Sequence, residues 1–495
     1  MRLNNFIIIG FLFLSISGIA QHFEVNENYR NAYQYILALN FNRGREIIAG
    51  EKSKDPDNLY TLYLENYIDF LTVFISEDED IFDSIKDISD ERYDQLQQME
   101  KENPYRNYLL GNMNLQWAVI RLKFHDYFYA ALDINRAYRL LTTNKKAFPD
   151  FVPNDITLGV LHIMIGMVPD NYHWVLRLIN MKGSVKQGRG ELIRALDRSD
   201  SDPAYSYLKN EILFFMGFVE LNIEPGKKQL DILSGQIARA DTNNLLLSYL
   251  RVNILMKTGK NDEALQLFER INRMNGYFPF YYLNYLQGEC YLRKLEPRQA
   301  GPFYDDFLNH FTGKNYIKDT WRKKAWTALL SGDEMKYRYF LKKVLETGND
   351  DTGQDRDAER EAEKNKIPNI DLIKVRLLFD GGYYQKADSI LSSLPDGQLN
   401  EEERVEKVYR KARIADESGD KDIAGYYYMQ TIEEGKHLPR YFAGNSALKL
   451  AEMYETGGDT IHALKYYNLC LKLDFDEYEA GIHGKAKAGV KRLSD

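Results

Sequence analysis

The residue types able to carry covalent, redox or metal chemistry are few and scattered. The eight histidines are His22, His125, His162, His173, His310, His437, His462 and His483. No two follow the His-Glu-x-x-His spacing that sets both imidazoles on one helical face for a zinc ion. The two cysteines, Cys290 and Cys470, occupy helix positions where small residues pack, and neither has a nearby histidine to take its proton. Two cysteines also exclude a disulfide scaffold and any four-cysteine zinc site. Gly183 to Gly190 invites comparison with a phosphate loop, which needs Lys and then Ser or Thr after its last glycine. Here Gly188 is followed by Arg189 and Gly190, so the phosphate-reaching amine and the magnesium-binding hydroxyl are missing. Helix-start and close-packing glycines are the expectation there. A calcium loop beginning at Asp350 would need acids or amides where Thr352 and Gln354 stand, and one beginning at Asp351 meets Gly353. No Gly-x-Ser-x-Gly elbow occurs. The reading is a chain with no catalytic set, no metal site and no cofactor.

Charge removes another class. Lys and Arg number 65 against 73 Asp and Glu in 495 residues, a formal net charge of -8. A nucleic-acid binder needs a basic excess to displace counterions from phosphate, so no nucleic-acid partner is expected. The hydrophobic share of 44% is that of a globular chain.

Residues 1–20 have the pattern of a secretory signal. Arg2 supplies the positive start, Phe6 to Ile16 is apolar apart from Gly10 and Ser15, and Gly18 and Ala20 place small residues before the cleavage point. No cysteine follows to carry a lipid anchor. The next most apolar run, Ile156 to Val168, ends at Pro169 and is shorter than the roughly 18 residues a membrane helix needs. It is expected as a buried core helix, so no integral membrane span is predicted.

The elements that must position any site are helices in a repeating pattern. Ala451, Tyr454, Gly458, Ala463, Tyr467 and Cys470 fall at fixed offsets after Leu450. Small residues at 451 and 463 let two helices cross closely, the tyrosines fill the space beside them, and Gly458 ends the first helix in a left-handed cap. The offsets recur at Ala412, Gly419, Ala424 and Tyr428, and at Gly382, Ala387 and Leu391. They recur again at Gly288, Tyr291, Ala300 and Tyr304, at Gly259, Ala264 and Phe268, and at Ala32, Tyr35, Gly44, Ile48 and Pro56. In the Gly288 unit Leu295 stands where the turn glycine belongs. The second-helix small residues at 264, 300, 387, 424 and 463 are separated by 36, 87, 37 and 39 residues. The 87 leaves room for one further helical pair plus an insert. The others exceed the period of about 34 of helical-hairpin repeats, so the loops between repeats are somewhat long.

These offsets resemble the tetratricopeptide repeat family. The resemblance implies an all-α, tetratricopeptide-like helical-repeat solenoid. The expected organisation is a signal at 1–20, a helical-repeat array over 21–345 with an insert at 148–196, a charged linker at 346–369, and a tetratricopeptide array over 370–495. The insert resembles a segment of tetratricopeptide proteins of the inclusion-body clearance type, in which a glycine-containing apolar helix precedes a proline turn and a Gly-Ser helix start. No activity is carried over from that likeness. The short signal and the Asn-, Lys- and Tyr-rich chain after it resemble exported proteins of bacteria of the Bacteroidetes kind, which implies the periplasm.

Such a solenoid binds peptides or partner helices on the face lined by the first helices of its repeats. The 36 tyrosines exceed what a repeat core uses, and a ring with a polar tip suits partner contact. Tyr281, Tyr282, Tyr285, Tyr426 and Tyr427 are therefore the candidate partner-binding residues. The expected function is an exported scaffold for a protein or peptide partner. The alternative is a glycan- or nutrient-binding component of an envelope uptake system, with Tyr or Trp side chains as sugar platforms. A hydrolase within 148–196 would need His162, His173 and Arg189 to converge.

Overall fold

The computed structural model describes residues 23–168, 181–223, 227–240 and 243–494. The predicted signal at 1–20 and the residues His22 and His173 lie outside them. Among the described residues there are 24 α-helices and no strand, and the chain is an all-α helical-repeat solenoid of antiparallel neighbouring pairs. It divides into two compact units, residues 1–72 with 80–209 and residues 73–79 with 210–495.

In the first unit the pairs are Glu27–Leu37 with Phe41–Lys54, Tyr60–Ser76 with Glu79–Leu96, Pro104–Lys123 with Tyr127–Ala147, and Pro153–Gly166 with Val185–Ser201. The last pair is the predicted insert. Its glycines serve close packing, since a Cβ on Gly188 would fall 2.2 Å from the Gly159 carbonyl oxygen. Ser184 caps the second helix by accepting from the Gln187 N–H at 3.1 Å.

In the second unit Lys209–Asn222 leads to Lys227–Arg239. Five pairs then have a repeat geometry: Leu245–Lys257 with Asn261–Ile271, Tyr282–Arg293 with Pro297–His310, Ile317–Leu330 with Glu334–Glu346, Ile370–Asp380 with Tyr384–Ser393, and Glu401–Glu417 with Lys421–Gly435. Phe442–Thr456 with Thr460–Cys470 is the sixth, and Glu479–Ser494 closes the unit. The small residues of the sequence pattern sit where the helices of a pair cross. Ala264, Ala300, Ala387, Ala424 and Ala463 all have no exposed surface, because a larger side chain would hold the helices apart. Gly259, Gly382, Gly419 and Gly458 take positive φ at the turns, the conformation that ends a helix without a Cβ penalty. Leu295 adopts the same conformation, at φ 61°.

Two features depart from the expectation. The stretch 346–369, expected as a charged linker, holds the helix Gly353–Lys364. Its Ala358 and Ala362 are buried one turn apart against the neighbouring pair Ile317–Leu330 and Glu334–Glu346. Asp355, also buried, accepts from the Tyr316 N–H at 2.7 Å and the Asp319 N–H at 3.0 Å, so it caps the start of a helix some forty residues earlier. Charge density disguised a helix whose buried stripe is only alanine wide. The second departure is a contact between non-neighbouring pairs. The turn at Gly259 meets the turn at Gly382, where a Cβ on Gly382 would fall 1.9 Å from the Gly259 oxygen. Asn261 donates to the Tyr383 hydroxyl at 3.0 Å, and that hydroxyl donates to Asp262 at 2.8 Å.

Among the described residues no helix is long and apolar enough to cross a membrane. Ile156 to Ile165 is buried apart from half-buried Val160 and Met164, as expected for a core helix.

Candidate functional site

Within the second unit, the first helices of four pairs line one cleft of about 670 Å³. The helix Ile317–Leu330 supplies Arg322 and Trp326, Ile370–Asp380 supplies Leu372, Ile373 and Arg376, Glu401–Glu417 supplies Glu406 and Arg410, and Phe442 opens the last. None of the four matching second helices contributes a lining residue. The helix Gly353–Lys364 forms one wall with Asp357 and Glu361, and Tyr441 and Tyr478 face in from the segments before the last helices. Side chains one turn apart on a helix share a face, which is why Arg322 and Trp326, or Leu372 and Arg376, point into the cleft together.

The electrostatics are a lattice of paired charges around aromatic rings. Trp326 donates its indole N–H to Glu361 at 2.7 Å, while the Arg322 and Arg376 guanidinium carbons lie 5.1 and 5.3 Å from its ring centroid. Lys323 adds a third cation, 4.5 Å from the same ring. Such stacking is worth about 0.5–2 kcal/mol per cation, depending on desolvation. Arg322 pairs with Asp319, and Glu361 lies 3.9 Å from it. Arg410 donates to Glu406 through Nε at 3.2 Å and through its terminal nitrogen at 2.8 Å. Arg440 pairs with Glu477, and the Tyr478 hydroxyl donates to Asp357. Burial pushes the Tyr478 phenol up to about 12, so at neutral pH it is an uncharged donor. Below the cleft, Glu289 accepts from Lys323 at 3.1 Å and from the Tyr304 hydroxyl at 2.8 Å, and Tyr285 donates to Asp319 at 2.6 Å. Among the described residues no group of His, Cys, Asp and Glu could hold a metal ion.

None of the five candidate tyrosines lines this cleft. Tyr285 is a core residue, 4% exposed, with its hydroxyl committed to Asp319. Tyr282 is half-buried and stacks on Tyr285 at 5.2 Å, and Tyr281 stacks on His310 at 5.2 Å. Tyr426 is the exposed member, at 61%, with its ring 5.3 Å from half-buried Tyr427 on the second helix Lys421–Gly435. The five are thus not brought together: three adjoin one first helix and two lie on a second helix elsewhere. The side chains that do converge, Arg322, Trp326, Arg376, Arg410, Tyr441 and Tyr478, were missed in the sequence. One signal was present, Lys374 and Arg376 embedded among the apolar residues of Leu372 to Phe379.

Of the three residues a hydrolase would need, His162 is 7% exposed and its Nδ1 lies 2.6 Å from Glu191 Oε2, with the Gln187 amide 3.0 Å away. That imidazole is spent inside its own helix pair. His173 lies outside the described residues. Both cysteines are free and buried, and burial pushes each thiol up to about 12. No protein-family model and no curated protein matches this sequence.

Proposed function

We propose that this chain is an exported, non-enzymatic interaction scaffold built on tetratricopeptide-like repeats. It holds an extended peptide or a segment of a partner protein in the cleft formed by the first helices of its second unit. One observation carries the reading: four successive first helices, and none of their second helices, turn aromatic and charged side chains into one cavity. A volume near 670 Å³ falls in the range of about 300–1,000 Å³ typical of ligand clefts. The export part rests on the pattern of residues 1–20, and the periplasm on that pattern together with the Asn-, Lys- and Tyr-rich composition of the chain after it.

The test is site-specific cross-linking in cells. A photo-reactive side chain at Lys366, exposed on the cleft rim, should give a discrete adduct. The same group at Ile461, 80% exposed on a second helix, should not. Adducts of equal yield from both positions, or from neither, would remove the cleft from consideration as the binding surface.

A further inference from the structure

Arg376 differs from every other arginine lining the cleft. Arg322, Arg360, Arg410 and Arg440 each have a carboxylate partner. The Arg376 guanidinium has no hydrogen bond or ion pair among the described residues; it lies over the face of Trp326, at 5.3 Å, and feels Tyr478, Tyr441, Asp380 and Glu406 only through space. We propose that Arg376 is the anchor for an acidic side chain of an extended peptide lying in this cleft. The proposal rests on the groove function above and names the chemistry that the groove recognises.

The chain's own carboxylates do not fill this role because each is engaged. Glu361 accepts from Trp326, Asp357 from Tyr478 and Arg360, Glu406 from Arg410, and Glu477 from Arg440. None of them forms an ion pair with Arg376, and each already holds another donor of the cleft. A guanidinium in a partly enclosed cleft has lost part of its hydration, and a ligand carboxylate restores that loss through two parallel charge-assisted bonds. Stacking on Trp326 fixes the plane of the fork beforehand, so little freedom is lost on binding. Leu372, Ile373 and Phe442 stand beside it in the same cavity and would receive an apolar side chain next to the acid. Glu401, Glu402 and Glu403 also line the cleft, and this acidic edge repels a dianion more than a single charge. The preferred anion is therefore a carboxylate and not a phosphate.

The experiment passes three peptide pools over the immobilised full chain. They are identical five-residue pools, amidated at the end, with Glu, Gln or phosphoserine at the centre and Leu, Phe, Tyr, Ala or Ser elsewhere. Retained peptides are counted by mass spectrometry. The Glu pool should be enriched about tenfold or more over the Gln pool, the ratio expected for one charge-assisted pair. Arg376→Gln should abolish that enrichment and Arg376→Lys should keep part of it. Equal retention of the Glu and Gln pools would overturn the anchor and leave the groove function standing. A preference for Glu that survives Arg376→Gln would do the same. Stronger retention of the phosphoserine pool would overturn the choice of carboxylate. Retention of no pool by the wild-type chain would overturn the anchor and the peptide groove together. The comparison of pools on the wild-type chain needs no variant, so a misfolded Arg376→Gln protein does not leave the question open.

Discussion

Gly288→Ala isolates the close helix crossing on which the repeat depends. Gly288 lies in the helix Tyr282–Arg293, and a Cβ there would fall 2.6 Å from Tyr304 Cε1 and 2.9 Å from Cδ1. Ordinary contacts begin near 3.4 Å. Tyr304 cannot easily swing aside, because it has no exposed surface and its hydroxyl donates to Glu289 at 2.8 Å. Two effects oppose each other. Alanine gains about 1 kcal/mol over glycine in a helix interior. Overpacking costs about 1–3 kcal/mol, and losing the Tyr304 hydrogen bond adds about 1 kcal/mol. The steric side wins, with a net loss of about 1–3 kcal/mol. Thermal unfolding followed by circular dichroism should show Tm lowered by about 2–4 °C per kcal/mol. Gly484→Ala is the control, because no atom lies within 4 Å of its added Cβ in the helix Glu479–Ser494, so it should raise Tm slightly. Replacing Tyr304 by Leu should remove the clash and make Gly288→Ala neutral or stabilising in that background. If Gly288→Ala is at least as stable as wild type, and shows no coupling to Tyr304→Leu, the close-crossing account of the repeat is wrong.

Three further outcomes follow from the structure. Cys290 and Cys470 should not react with iodoacetamide at pH 8 in the native chain and should both react in denaturant, because burial raises each thiol to about 12; native labelling of either would refute their packing role. Glu51 is held below its usual pKa by hydrogen bonds from Lys54 first and then Asn26, with Asn28 also donating. The native state therefore favours the ionised form, and this contribution to stability is present above about pH 4.5 and lost as pH falls through the lowered native value. Glu51→Gln should flatten the acid limb of the stability profile, and an unchanged limb would count against the assignment. The helix Gly353–Lys364 should resist trypsin at Arg356, Arg360 and Lys364 under native conditions, and Asp355→Ala, which removes the cap on Tyr316 and Asp319, should expose these sites. Rapid cleavage of the wild-type chain there would restore the linker reading.

Legibility differed between the repeat and the cleft. The turn glycines and crossing alanines could be read by spacing because they do their work within one helix pair. The same logic identified Leu295 as a residue in a glycine's place, and it takes the left-handed φ of 61° that glycine would adopt without strain. By sequence the segment 346–369 reads as a linker because alanine at 358 and 362 is a weak apolar signal among acids and bases. Its decisive group, Asp355, acts on a helix start that precedes it by more than thirty residues. Abundance and clustering of tyrosine in the sequence do not distinguish Tyr285, sealed against Asp319, from Tyr426, 61% exposed.

What the sequence by itself determined is the all-α class and the helix pairing, since both arise from contacts between residues a few turns apart. The absence of a phosphate loop or a His-Glu-x-x-His metal pair was legible for the same reason: each would have had a local spacing. The cleft was decided by tertiary structure alone. Arg322, Arg376, Arg410 and Tyr478 span more than 150 residues and share no period, because three first helices contribute one each and Tyr478 comes from the segment before the last helix. They become a site when stacking turns those helices to a common face, and the unpartnered charge of Arg376 exists only in that arrangement.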